Sequence, residues 1–289
     1  MISSNRKVRV ALLSIISNAT LIIFKIVAGI ISGSVSIISE AIHSSMDLLA
    51  SIIAFFSVKA SSKPADDDHP FGHGKIENIS GVIEGVLILV ASIMIIVQAI
   101  KKIYNPRPIE NEWVAILVMF ISGLVNFIVS TKLYKVGEEE DSMALKADAL
   151  HLKTDIYTSL GVGIGILLIK ITKIHILDSI VAILVAFLII KEAVELTKNG
   201  FDELIDKRLS DEEENEIKDI IERCKSEFID YHKLKTRKSG NVKHIDFHIT
   251  LDKNTTVKEA HDIIGDIKKE MNKSIKNSRV TIHIDPSND

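Results

Sequence analysis

The sequence predicts a membrane α-helical bundle of six spans followed by a C-terminal cytoplasmic α+β domain. Three observations predict it. Hydrophobic residues form 47% of the 289 and concentrate between about 8 and 198 in long Ile, Leu, Val and Ala runs. Residues 201–289 are instead charged and mixed, with 17 Lys and Arg against 20 Asp and Glu. Polar punctuation interrupts the apolar part at intervals that suit one bilayer crossing each. The expected boundary gives a transmembrane domain at 1–200 and a cytoplasmic domain at 201–289.

The spans are expected at 9–31, 35–58, 77–100, 112–134, 144–169 and 175–197. Arg6 and Lys7 ahead of the first run resemble the start of a secretory signal. The run outlasts a signal core and carries no small-residue cleavage site, so it reads as a spanning helix. Within it, Lys25 is expected to snorkel to the outer boundary, and Asn18 is a weaker polar signal. "ISGS" at 31–34 is a tight turn, "KPADDDHPFGHGK" at 63–75 mixes Pro, Gly and charge, and "NPRP" at 105–108 cannot continue a helix. "GEEED" at 137–141 is too charged for hydrocarbon. Arg6, Lys7, Arg9, Lys59, Lys63, Lys75, Lys132, Lys135 and Lys146 fall on one side, against Lys101, Lys102, Arg107, Lys170 and Lys173 on the other. This bias predicts cytoplasmic termini in a multi-pass protein of the cell membrane.

The tail reads as helix 210–228, strand 231–238, strand 242–251, helix 257–275 and strand 279–284. That α-β-β-α-β, metallochaperone-like order is a small sandwich with helices on one sheet face. "KSGN" at 238–241 suits a hairpin turn. Net charge of −3 and 5% aromatics exclude a nucleic-acid surface. Cys224, the single cysteine, excludes an intrachain disulfide and reads as a small buried packer.

"SEAIHSSMDLLAS" at 39–51 places His43 and Asp47 inside an apolar run, where ionisable groups are costly unless paired. "KADALHLKTDIYTS" at 146–159 repeats the arrangement with His151 and Asp155. The i, i+4 spacing puts each pair on one helix face. His43 lies roughly 12 Å and Asp47 roughly 18 Å below the outer boundary, against about 19 Å for His151 and about 13 Å for Asp155. The two pairs therefore share one slab near the midplane. Two imidazoles and two carboxylates suit a tetrahedral divalent metal, Zn²⁺ above all, and the same groups take protons when the metal leaves. Asp66, His69 and His73 form a second candidate set around a Pro-Phe-Gly kink. In the tail, His244, Asp246 and His248 alternate with Ile245, Phe247 and Ile249, and His283 and Asp285 share one face of the last strand. His232 opens the first strand and His261 lies on the second helix. His244 and His175 have no evident partners and read as structural.

The motifs "SEAIHSSMD", "ADDDHPFGHGKIE", "KADALHLKTD", "HKLKTRKSG", "FHI", "EAH" and "IHIDP" stand in order along the chain. In them the sequence resembles the cation diffusion facilitator family of divalent-metal/proton antiporters over nearly its whole length. The resemblance implies a homodimer in the lipid bilayer with a transport site at His43, Asp47, His151 and Asp155. It implies a loop site at Asp66, His69 and His73, and a binuclear cytoplasmic site at His232, His248, His261, His283 and Asp285. It also suggests a charge interlock between Lys75 and Asp206. The expected function is export of divalent cations, Zn²⁺ first, in exchange for protons, with metal as substrate or regulatory ion and no permanently bound cofactor. Selectivity for Mn²⁺, Fe²⁺, Co²⁺ or Cd²⁺ stays open, as does a membrane-tethered metal sensor without flux. An enzyme is not expected, because no H-E-x-x-H helix occurs and four protein ligands leave no position for water.

Overall fold

The computed structural model describes residues 2–32, 35–104, 112–172 and 176–287. The chain divides into two compact units, Met1–Phe201 and Asp202–Asp289.

Six helices build the first unit: α1 (Ile2–Ser32), α2 (Val35–Ser61), α3 (Lys75–Tyr104), α4 (Glu112–Glu139), α5 (Met143–Thr172) and α6 (Ile176–Leu204). α1 packs along α2 and touches α4, while α5 packs along α4 and also against α2 and α3. Among the described residues, two segments are long and apolar enough to cross a membrane, Arg6–Ala28 and Lys75–Lys101. Polarity is inverted relative to a water-soluble fold. Ile16, Ile23, Val90, Met94, Phe120, Phe187 and Leu188 point outward, whereas Ser14, Asn18, Ser51, Glu84 and Asp148 are buried. So large an apolar exterior marks a surface that meets something other than water.

Glu77 ties one end of this bundle. Its Oε1 accepts from Lys7 Nζ at 2.5 Å and from Ser61 Oγ at 2.6 Å, and its Oε2 accepts from the Ser142 hydroxyl. The knot joins α1, α2, α3 and the α4–α5 turn. Beside it, Arg6 pairs with Glu139 at 2.6 Å. These partners explain a departure from expectation: α4 runs through "GEE" to Glu139 instead of stopping near 134. Charged residues extend a helix readily where cations meet them. Lys25 also departs. It does not snorkel but is 5% exposed, with Nζ donating to Ser44 Oγ of α2 at 2.7 Å. An acceptor on the neighbouring helix removes the need to reach water.

α3 and α6 approach closely at Gly200. A Cβ there would sit 2.9 Å from Val82 Cγ2 and 3.3 Å from the Asn78 carbonyl oxygen.

The second unit contains α7 (Asp211–Arg223), a 3₁₀ turn (Lys225–Glu227), β1 (Asp230–Ser239), β2 (Val242–Leu251), α8 (Val257–Ser274) and β3 (Ser278–Pro286). Reciprocal capping boxes start both helices, Ser210 with Glu213 and Thr256 with Glu259. α7 stops five residues short of the expected 228, its last turn closed by the Cys224 amide on the Ile221 carbonyl. Cys224 is half-buried against the core, and burial raises its thiol pKa. The sheet order is β1-β2-β3, with β1–β2 antiparallel and β2–β3 parallel. Ile245, Phe247 and Ile249 of β2 are buried with Ile217, Ile220 and Ile221 of α7 and Ile267 and Met271 of α8. The opposite sheet face is left for polar chemistry.

Candidate metal centres

In the tail, register does the assembling. His232 of β1 pairs with His248 of β2, and His248 pairs with His283 of β3, so three imidazoles form one row across the sheet. Ring centroids lie 5.3 Å apart for His232–His248 and 4.6 Å for His248–His283. Asp285, two residues on from His283, completes the group. Its Oδ2 lies 3.0 Å from His232 Nε2 and 2.9 Å from His248 Nδ1, and its Oδ1 lies 3.3 Å from His283 Nε2. The hydrogen bond from His248, then that from His232, holds the Asp285 carboxyl below its ordinary pKa. His232, His248 and Asp285 each offer a donor atom within 4.8 Å of the others.

A bulge puts His232 in that row. Register slips between His232 and Lys235, with Lys233 in the left-handed region at φ 56°. Strict alternation would place His232 on the core face with Leu234 and Thr236. His261 is exposed on α8 and stands outside this group. His244, read as structural, is buried, and its pKa is lowered by burial first and then by Arg237 and Arg279.

The loop between α2 and α3 gathers Asp66, His69 and His73, again with donor atoms within 4.8 Å of one another. Asp66 Oδ1 accepts from the His69 backbone amide at 2.7 Å and lies 3.2 Å from His69 Nδ1. Asp66 Oδ2 lies 3.4 Å from His73 Nε2. The amide bond from His69 is the first cause of a lowered Asp66 pKa. Gly72 makes the fold-back possible at φ 88°, a backbone that L side chains rarely adopt.

In the bundle, α5 carries His151 and Asp155, both half-buried. Asn126 of α4 reaches Asp155, Nδ2 to Oδ2 at 3.4 Å. His43 and Asp47 stand in α2, but their side chains lie outside the described residues, as does His175 altogether. Lys75 begins α3, and Asp206 of the second unit accepts from Arg237 Nη1 at 3.3 Å.

Sequence reasoning missed Asn126, Glu84 and Asp148. Asp148 sits within the quoted "KADALH", one turn before His151. Glu84 is a lone acid in an apolar run, the kind of residue that marks function in a membrane helix.

Comparison with known proteins gives the chain's family. Residues 11–205 match the cation efflux transmembrane domain and residues 209–287 the cation efflux protein cytoplasmic domain. The manganese efflux system protein MneP of Bacillus subtilis is 33% identical over 285 residues, covering 96% of this chain and 95% of its own. The cation-efflux pump FieF of Shewanella oneidensis is 28% identical over 273 residues, covering 94% and 92%. A solved structure of CzrB in its Zn form is 26% identical, covering 28% of this chain and 93% of its own, with a TM-score of 0.28.

Proposed function

We propose, for a chain that belongs to the cation diffusion facilitator family of divalent-cation efflux transporters, that it exports Zn²⁺ from the cytoplasm in exchange for protons. Family membership makes it a membrane transporter and not an enzyme. In this reading α1 to α6 are six spans with both termini cytoplasmic, and residues 201–289 form the cytoplasmic domain of a homodimer. Helices of 27 to 31 residues support the spans.

The observation that carries the reading is the His151–Asp155 pair, half-buried in an apolar bundle on the helix that packs against α2. With His43 and Asp47 on α2, it supplies two imidazoles and two carboxylates for one tetrahedral ion. The carboxylates neutralise the divalent charge, and the emptied ligands accept protons, which couples the two fluxes. Asn126 orients Asp155. Asp66, His69 and His73 hold a loop ion. His232, His248, His261, His283 and Asp285 hold cytoplasmic ions near the dimer seam.

A second reading exchanges only the cargo. The full-length likeness to a manganese efflux protein favours Mn²⁺, whereas two imidazoles favour Zn²⁺ over a harder ion. Proteoliposomes with an internal pH dye test both. Zn²⁺ should drive a proton counterflux that Asp155→Ala or Asp47→Ala abolishes while the dimer persists. Full transport by either variant refutes the site, and Mn²⁺-only transport selects the second reading.

A further inference from the structure

Two acids in the bundle are left unexplained by the transport quartet. Glu84 of α3 and Asp148 of α5 are each 0% exposed. Each has one oxygen held and one bare. Ser80 Oγ donates to Glu84 Oε1 at 3.1 Å, and Ser51 Oγ donates to Asp148 Oδ1 at 3.0 Å. Ser51 is itself fixed by Asn18 Nδ2 at 2.7 Å and by the Ser14 hydroxyl at 2.9 Å. Glu84 Oε2 and Asp148 Oδ2 are buried without a hydrogen-bond partner among the described residues. No described lysine or arginine pairs with either acid. The two carboxylates and His151 lie within electrostatic reach of one another.

A buried carboxylate oxygen without a donor is costly, and a second within electrostatic reach makes it more so. The arrangement makes sense as ligand geometry. Hydroxyl donors orient one oxygen of each acid and leave the other to a cation, as outer-shell partners do for metal-binding carboxylates. Asp148 precedes His151 by one turn and Asp155 by nearly two, roughly 4.5 and 10 Å along the helix. Under the proposed topology this is the cytoplasmic side of the quartet.

We propose that Glu84 and Asp148 form an inner station for the exported divalent cation, which hands it to His151 and the midplane site. Among the described residues, only the loop and tail groups bring three donors within 4.8 Å of one another. The station is therefore open in this conformation, and rotation of the long Glu84 side chain closes it on an ion. The two acids supply the compensating charge that the cation needs before it meets Asp155.

The inference rests on the transport reading, and its test separates the two. Full-length wild type and Glu84→Gln are reconstituted, and initial uptake is followed against Zn²⁺ and Mn²⁺ concentration. If wild type moves neither metal, the transport reading fails. If it does, Glu84→Gln should raise the half-saturating concentration by about tenfold or more, with Asp148→Asn alike and Ser80→Ala a few-fold, in line with the 10–100-fold cost of disturbing a metal's shell. An unchanged half-saturation in Glu84→Gln overturns the station, and it does so even where proton stoichiometry shifts, since the acids then carry protons only. Where Glu84→Gln has no flux, equilibrium Mn²⁺ binding to the same protein decides, and wild-type affinity overturns the station. Where that variant does not fold, Ser80→Ala, which keeps both charges, serves, and wild-type half-saturation overturns it.

Discussion

Lys7→Met removes the only cation bonded to Glu77 among the described residues, and Glu77 is 3% exposed. Taking one partner from a buried pair leaves an uncompensated charge, which costs about 3–5 kcal/mol. Ser61 and Ser142 keep donating to the stranded carboxylate, so the lower end, about 3 kcal/mol, applies. At about 2–4 °C per kcal/mol for a unit of this size, the melting temperature should fall by about 6–12 °C. Glu77→Leu should cost as much, because it strands the ammonium. In Lys7→Met/Glu77→Leu no charge remains, and the loss reduces to two hydroxyls without their acceptor, about 2 kcal/mol in all. The double variant should therefore melt above either single one. Calorimetry of the full-length protein in lipid nanodiscs measures all four corners of the cycle. If Lys7→Met melts within about 2 °C of wild type, or if the two losses simply add, Glu77 does not knot the helix ends as described.

Asp285→Asn, which takes the shared oxygen from His232 and His248, should weaken metal binding at the tail by about 10–100-fold, read by competition with a chromophoric chelator. Gly72→Ala meets no atom within 4 Å, so its cost is backbone strain alone, about 1–2 kcal/mol. It should loosen the loop's grip on metal and lower the melting temperature of the bundle by about 2–8 °C. Glu259, with a pKa lowered by the Thr256 amide, and Glu213, lowered against the pull of burial by Lys243 and the Ser210 amide, stabilise the tail helices only while ionised. Their contribution is complete above the ordinary carboxylate pKa and lost as pH falls through the depressed values. Acid titration followed by circular dichroism should show the tail helices weakening below about pH 4, and Glu259→Gln should flatten that loss.

Much of this molecule is legible because periodicity encodes depth and face. Long apolar runs gave the helices, and β2 was read to the residue, Val242–Leu251. Alternation along it separates Ile245, Phe247 and Ile249 from His248 without any coordinates. What escaped depends on partners distant in the chain. Lys25 finds Ser44, Glu139 finds Arg6 and Asn126 finds Asp155 only once helices are packed, so snorkelling and helix ends were misjudged. Glu84 and Asp148 do not stand out in the sequence because their meaning lies in which oxygen each serine leaves bare. His232 shows the limit most sharply, since one surplus residue reverses the face that counting assigns.

That surplus residue, Lys233, makes the tail's first strand a ribbon of two phases. Downstream its inward positions serve packing, and upstream the parity flips so that an imidazole reaches the ion-facing side. Ironing out the bulge with Lys233 kept in the ladder would restore strict alternation and turn His232 into the hydrophobic interior. The metal row would lose a member without any donor atom being mutated, and the sheet would gain regularity at the expense of chemistry. Irregularity here is the device by which a short strand serves two masters.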